Sequence, residues 1–266
     1  MPHKNKSERS RTSEIFGVNP VLEALRAKRR AIREIAIANG TKDARLAQLI
    51  ELARAEHVPV HYVPRQQLDR ATGNAVHQGI VARVAAAEYT DADELLDSIG
   101  ELVTSARLPL VLVLDGVEDP HNLGAILRTA ECAGVNGVFL PERRAAGLTE
   151  AVGKASAGAI EYVPVARTTN LSRLIDQLKE RNVWVVGTAA DASTDYSTWD
   201  WTRASAIVMG SEGSGLHRLV REHCDALVRI PVLGRIESLN VSVATGVILY
   251  EALRQRTAQT KNIAGG

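Results

Sequence analysis

Apolar and polar positions change rhythm along the chain. Over Ile32–Ala38 (IREIAIA) they alternate with the two-residue period of a half-buried strand. After the turn signal Asn39-Gly40, Leu46, Leu49, Ile50 and Ala53 recur at helical spacing. Val58–Val63 and Gly79–Ala87 read as two further strands. Asn19-Pro20 reads as a helix cap followed by proline at the first helical position, leading into Val21, Leu22 and Leu25. Residues 14–88 are thus expected to form a small α/β domain, long enough to fold alone. The acidic, moderately helical stretch 89–107 is taken as a linker, with the first helix of the next domain as the other reading.

From Leu108 the pattern is different. LPLVLVLDG is a near-continuous aliphatic run, as expected of a strand buried on both faces of a parallel sheet. Similar runs recur at Gly137–Leu140, Tyr162–Val165, Val183–Gly187, Ala204–Met209 and Ala226–Ile230. Helical stretches at Leu123–Ala133, Leu171–Lys179, Leu216–Glu222 and Val241–Arg254 separate most of them. This alternation predicts an open α/β domain over 108–266, with ligand loops at the carboxyl ends of its strands.

Composition narrows the class. No run approaches the roughly 20 apolar residues of a membrane helix, so no membrane partner is expected. The opening MPHKNKSERSRTSE is polar and basic, unlike a secretory signal. Cys132 and Cys224 fit neither a CxxC motif nor a disulfide framework, which points to the cytoplasm. The net charge of +1 hides an asymmetry: residues 1–34 hold nine Lys and Arg against four Glu, leaving −4 for the rest. Residues 1–13 read as a disordered basic arm. Such an end suits a polyanion; a solvated tail with a charged helix face explains the same charges.

Several chemistries are excluded by their missing residues. The first aliphatic strand is followed by Gly116-Val117-Glu118-Asp119-Pro120-His121, not by a dinucleotide fingerprint. Gly153-Lys154 lacks the flanking glycine and hydroxyl residue of a phosphate loop, since Leu148 and Ala155 stand there. Scattered histidines without HExxH or a Cys/His cluster give no metal site. Three loops remain. DGVEDPHNLGAILRTAECAG (115–134) carries Asn122, which could cap its helix, and Arg128 nearly two turns on. MGSEGSGL (209–216) sets Glu212 among glycines that permit close backbone approach, or it is a tight turn. IPVLGRIESLNVSVATG (230–246) places Ser238 and Asn240 at the mouth of a helix, where either could be a cap. His77-Gln78-Gly79 reads either as a contact to a polyanionic partner or as a turn entering a strand.

Together, DPHNLGAILRTAECAGV, IVMGSEGSGL and IPVLGRIESLNVSVATGVILYEALRQR resemble the three signature motifs of the SpoU/TrmH family of RNA 2′-O-ribose methyltransferases. KASAGAIEYVPVARTTNL and VWVVGTAADA between them are also similar, while FGVNPVLEAL and HQGIVARV resemble the small ribosomal-protein-like RNA-binding domain of some members. The combination is most similar to bacterial enzymes that methylate a guanosine of 23S ribosomal RNA. The resemblance implies a trefoil-knotted catalytic domain, a homodimer with the active site near the subunit interface, S-adenosyl-L-methionine as cofactor and RNA as partner. It implies that Gly210, Ile230 and Leu239 hold the cofactor, with Thr188 and Val232 nearby. Asn122, Arg128, Glu212, Ser238 and Asn240 match the polar catalytic positions, and Arg128 is expected to stabilise the developing alkoxide or orient a phosphate. A transfer RNA or an antibiotic-target ribosomal site is the alternative substrate, and a non-catalytic RNA-binding or ribosome-assembly factor the alternative class.

Overall fold

The computed structural model describes residues 12–73 and 76–264. The chain divides into two compact units: one runs to Glu88 and includes Leu148–Tyr162, and the other comprises Tyr89–Gly147 and everything from Val163 on. Most of the basic arm expected over 1–13 lies outside the described residues, and Thr12 and Ser13 open the first strand.

The first unit runs β1 (Thr12–Phe16), α1 (Val18–Ala27), β2 (Ile32–Ala38), α2 (Leu46–Ala55), β3 (Val60–Val63), α3 (Arg65–Ala71) and β4 (Ile80–Ala85). The sheet order is β1-β4-β2-β3, with β2 and β3 parallel and β4 antiparallel to both its neighbours. The period-two pattern of β2 explains the layering. Ile35 and Ile37 join Leu22 and Leu25 of α1 and Leu49 of α2 in one core, whereas Ala36 and Ala38 pack with Leu68 of α3 on the other face. Helix α1 starts at Val18 rather than at the expected Asn19-Pro20 cap. Gly17, at φ +92°, ends β1 and turns the chain directly into the helix, so the Asn19 side chain is free to accept from Arg45. His77 is only 2 % exposed. Its Nδ1 accepts from the Gly79 amide at 3.0 Å and its Nε2 meets Asp69 at 2.8 Å, so the ring pins the turn into β4 and does not face a ligand.

The second unit begins with α4 (Ala92–Thr104), inside the stretch expected to be a linker. Asp91 caps it by accepting from the amides of Asp93 and Glu94, and Leu95, Leu96 and Ile99 are buried. Then come β5 (Leu110–Asp115), α5 (Pro120–Cys132) and β6 (Gly137–Pro141). Here the chain leaves the unit for Leu148–Tyr162, which contains α6 (Glu150–Ala155) and a 3₁₀ turn at Ala159–Glu161. It returns through β7 (Val165–Thr168), α7 (Leu171–Glu180), β8 (Trp184–Thr188), β9 (Thr194–Asp195), β10 (Ser205–Gly210), α8 (Arg218–His223), β11 (Ala226–Arg229) and α9 (Val241–Ala264). The strand expected at Tyr162–Val165 therefore starts three residues later. Tyr162 instead closes the 3₁₀ turn, its hydroxyl donating to the Glu23 carboxylate at 2.6 Å.

The seven strands are all parallel, in the order β7-β6-β5-β10-β8-β11-β9. Every residue of β5 is buried, as its unbroken aliphatic run requires. β5 to β7 progress one way across the sheet, while β10 sits on the other side of β5 and leads back to β8. The loops after β5 and β10 thus leave the same edge at the point where strand order reverses, which is where open parallel sheets bind ligands.

Candidate active site

The loop after β5 reaches α5 through an Asp-Pro step. Asp119 caps the helix by accepting from the His121 amide at 2.8 Å, and Pro120 takes the first turn, where its missing N–H costs nothing. Asn122, read from sequence as a possible cap, is therefore already inside the helix and its amide can turn elsewhere. It is 8 % exposed and donates through Nδ2 to Glu212 Oε1 at 3.0 Å. Asn240 donates to the same oxygen at 2.5 Å and to Asn122 Oδ1 at 2.9 Å. The Val241 amide lies 3.4 Å from Glu212 Oε1. Asn240 is also a true cap: its Oδ1 accepts from the Ser242 amide at 3.0 Å and the Ser242 hydroxyl at 2.6 Å, at the start of α9. One carboxylate thus gathers three segments that are about 30 to 120 residues apart in sequence, and it fixes which way both amides point.

Beside this cluster lies a cavity of about 380 Å³. Its wall includes Thr188, Gly210, Ile230, Val232 and Leu239, and also Glu212 and Ser238. Gly210 shows why glycine stands there. A Cβ at this position would lie 2.2 Å from the Gly215 carbonyl carbon and 2.5 Å from the Leu216 amide nitrogen, so the loop 211–215 folds back onto the strand end only because no side chain intervenes. The Thr188 hydroxyl donates to the Val208 carbonyl at 3.1 Å, which ties β8 to β10 at the cavity floor. Asp191 and Arg221, also on the wall, form a two-pronged pair at 2.9 Å for each bond. The hydrogen bonds from Arg221 hold the Asp191 carboxyl below its usual range.

Arg128 is placed differently. Six residues along α5 from Asn122 carry it about 240° round the helix. It is exposed, it does not line the cavity, and its side chain makes no hydrogen bond or ion pair among the described residues. Ser238 lies on the cavity wall and is exposed. The structure therefore brings Asn122, Glu212 and Asn240 into contact, sets Ser238 and the five apolar or small positions around one cavity, and leaves Arg128 apart within a single chain.

Sequence reasoning missed a further pair. Asp115 ends β5 almost fully buried and accepts from the His217 amide at 2.7 Å and faces His217 Nδ1 at 2.9 Å. A lone acid closing the run LVLVLD was the available signal, since a buried carboxylate needs partners. Of the two thiols, Cys224 is pushed up to about 12 by burial and Cys132 is raised for the same reason, so neither is a ready nucleophile. Among the described residues no group of three or more His, Cys, Asp or Glu could hold a metal ion, and no helix is long and apolar enough to cross a membrane.

Known proteins share this architecture. The pattern of the SpoU rRNA Methylase family matches residues 109–250, and that of an RNA 2′-O ribose methyltransferase substrate-binding domain matches residues 15–90. A 23S rRNA (guanosine-2′-O-)-methyltransferase of Pseudomonas syringae pv. tomato is 46 % identical over 255 residues, covering 95 % of this chain and 99 % of the relative. An S-adenosylmethionine-bound rRNA methyltransferase from Sinorhizobium meliloti superimposes with a TM-score of 0.75 at 28 % identity, over 93 % of this chain and 88 % of that one. The SpoU methyltransferase AviRb from Streptomyces viridochromogenes, also bound to that cofactor, gives a TM-score of 0.76 at 25 % identity, over 96 % and 94 % of the two chains. A family pattern spanning more than half of its length, and a relative 46 % identical along nearly all of it, establish that this chain belongs to the SpoU rRNA methylase family.

Proposed function

We propose that the chain transfers a methyl group from S-adenosylmethionine to the 2′-hydroxyl of a guanosine in 23S ribosomal RNA. The observation that carries this reading is the cavity whose wall includes Thr188, Gly210, Ile230, Val232 and Leu239, and which shares Glu212 with the Asn122–Glu212–Asn240 cluster. The residues fit the cofactor. The glycine-backed slot offers apolar walls and backbone groups for a neutral ring system, as small-molecule sites do. When bound, S-adenosylmethionine supplies an already activated methyl, so no residue is needed to activate a leaving group.

The chain's own residues then have two tasks: to align the ribose oxygen and to stabilise it as its proton departs. Glu212 presets the two amides, with Nδ2 of each turned to the carboxylate. Ser238 presents its hydroxyl at the cavity wall. Arg128 supplies a cationic guanidinium beside the developing alkoxide or its neighbouring phosphate. Its absence from the cavity wall within one chain supports a homodimer in which it serves the partner's site. Val243 and Tyr250, seven residues apart on α9 and each about half exposed, offer an apolar stripe for that pairing. The first unit binds the RNA, the catalytic unit carries the trefoil knot, and the enzyme works in the cytoplasm.

Calorimetry with S-adenosylmethionine and tritium transfer to 23S ribosomal RNA test the reading together. Arg128→Ala should bind the cofactor as the parent does and lose transfer at least a hundredfold. An unaltered protein that gives no heat with the cofactor, or full transfer by Arg128→Ala, would contradict it.

A further inference from the structure

A second cavity of about 380 Å³ opens on the same edge of the parallel sheet, and the methyl-transfer reading assigns it nothing. Its walls come from the carboxyl ends of three adjacent strands: Asp115 and Gly116 at the end of β5, Pro141 to Arg144 at the end of β6, and Thr169 after β7. His217 closes it. The two cavities are neighbours. A Cβ on Gly116 would lie 3.1 Å from Cβ of Ser211, and Ser211 lines the first cavity as Gly116 lines the second.

Size, charge and backbone geometry define the occupant. The volume falls in the range of organic ligands, roughly 300–1,000 Å³, and far exceeds what one phosphate group fills. Glu142, Arg143 and Arg144 are exposed at the rim, and their side chains make no hydrogen bond or ion pair among the described residues. One carboxylate and two guanidinium forks therefore stand open side by side, and the carboxylate would repel a simple anion. Asp115 is already engaged by His217, whose ring remains half exposed and whose Nε2 has no partner among the described residues.

Arg144 also holds a left-handed backbone at φ +58°. Of the seven described non-glycine residues with positive φ, Lys28, His57, Ala106, Ala157 and Asn182 directly terminate helices, where that conformation closes the last turn. Gln78 uses its side chain to accept from the Val18 amide. Arg144 has neither reason. A residue kept in this region without a local cause is typical of ligand clamps.

We propose that this second cavity takes a guanine base of the RNA, unstacked from its neighbours. Glu142 accepts from N1–H and the exocyclic N2 amine, while Arg143 and Arg144 donate to O6 and N7. Guanine offers this combination: two adjacent donors that match a carboxylate, followed by two acceptors spaced for an arginine fork. Adenine presents an amine where guanine has O6 and has no N–H at N1. The exposed His217 ring supplies a stacking face, as aromatic residues do for splayed RNA bases. This inference rests on the reading of the chain as an RNA-modifying enzyme.

The test uses the full chain and saturation-transfer NMR titrations with GMP, AMP and inorganic phosphate, alongside calorimetry with S-adenosylmethionine. GMP should bind at least tenfold more tightly than AMP, and phosphate should not displace it. Glu142→Gln and Arg144→Met should each weaken GMP about tenfold or more, the scale of a lost bidentate base contact. Both variants should keep the parent's cofactor affinity and melting temperature, since the substituted side chains are exposed and unpaired. Equal binding of GMP and AMP, displacement by phosphate, or unaltered GMP binding by Glu142→Gln would each overturn the proposal. A parent protein that takes GMP selectively but gives no heat with S-adenosylmethionine would sink the methyl-transfer reading and leave this pocket standing.

Discussion

Arg30 and Glu161 form an ion pair deep in the first unit, with side chains 9 % and 3 % exposed. Arg30 Nε donates to Glu161 Oε2 at 2.9 Å, its Nη2 pairs with Oε1, and its Nη1 reaches the Ala85 carbonyl at 3.3 Å. Glu161 belongs to the excursion between β6 and β7, so this pair anchors Leu148–Tyr162 to the unit that matches the substrate-binding domain. Changing Glu161→Gln keeps the shape and one acceptor but leaves a buried guanidinium without its counter-charge. Breaking a buried pair on one side costs about 3–5 kcal/mol, several times the worth of a surface pair. Removing both charges with Arg30→Met and Glu161→Met together should cost less than about 1 kcal/mol, because the desolvation penalty disappears with the attraction. Native-state hydrogen exchange on the amides of Gly153–Glu161 reads this locally and does not assume that both units unfold together. A loss below about 1 kcal/mol in Glu161→Gln would show that water reaches the pair and would refute the reasoning.

Gly210→Ala places a Cβ 2.2 Å from backbone that has no flexible end to retreat, so S-adenosylmethionine affinity by calorimetry should fall at least a hundredfold while far-ultraviolet circular dichroism stays unchanged. Glu212→Ala leaves three donors without their acceptor; the exposed side of the cluster limits the stability loss to about 1–2 kcal/mol, whereas methyl transfer should fall by two orders of magnitude or more, and a proportionate loss of both would make the cluster merely structural. Burial pushes the Cys224 thiol up to about 12, so it stays neutral in the folded chain while an unfolded one ionises above about pH 8.5. Its contribution to stability is therefore full below that pH and is lost progressively toward pH 12, and iodoacetamide at pH 8 should label Cys224 only after denaturant is added.

The parallel sheet was legible because β5 and β10 are buried on both faces and therefore read as unbroken aliphatic runs. Element starts were not, because caps compete: Asn122 and Asp119 both fit one, and Pro120 decides for Asp119. Helix α4 was legible only as the alternative to a linker, because the buried positions of its acidic stretch are just Leu95, Leu96 and Ile99. No periodicity could show that Glu161 pairs with Arg30, since the chain between them runs through five strands, β2 to β6, of two different sheets. At the site, Glu212 among glycines is an ordinary turn when read alone. Its convergence with Asn122 and Asn240 is a tertiary fact that only the order of three motifs hinted at. The Asp115–His217 pair left still less trace, because the imidazole lies about a hundred residues from the acid that orients it.

The account depends on a ribose hydroxyl of ribosomal RNA being the methyl acceptor. Mapping 2′-O-methylated nucleotides in ribosomal and transfer RNA from cells with and without the gene tests that directly. One guanosine of 23S ribosomal RNA should lose its 2′-O-methyl group when the gene is deleted, and should regain it with the unaltered gene but not with Arg128→Ala. An unchanged ribosomal methylation map, or a loss confined to a base nitrogen or to transfer RNA, would contradict the account.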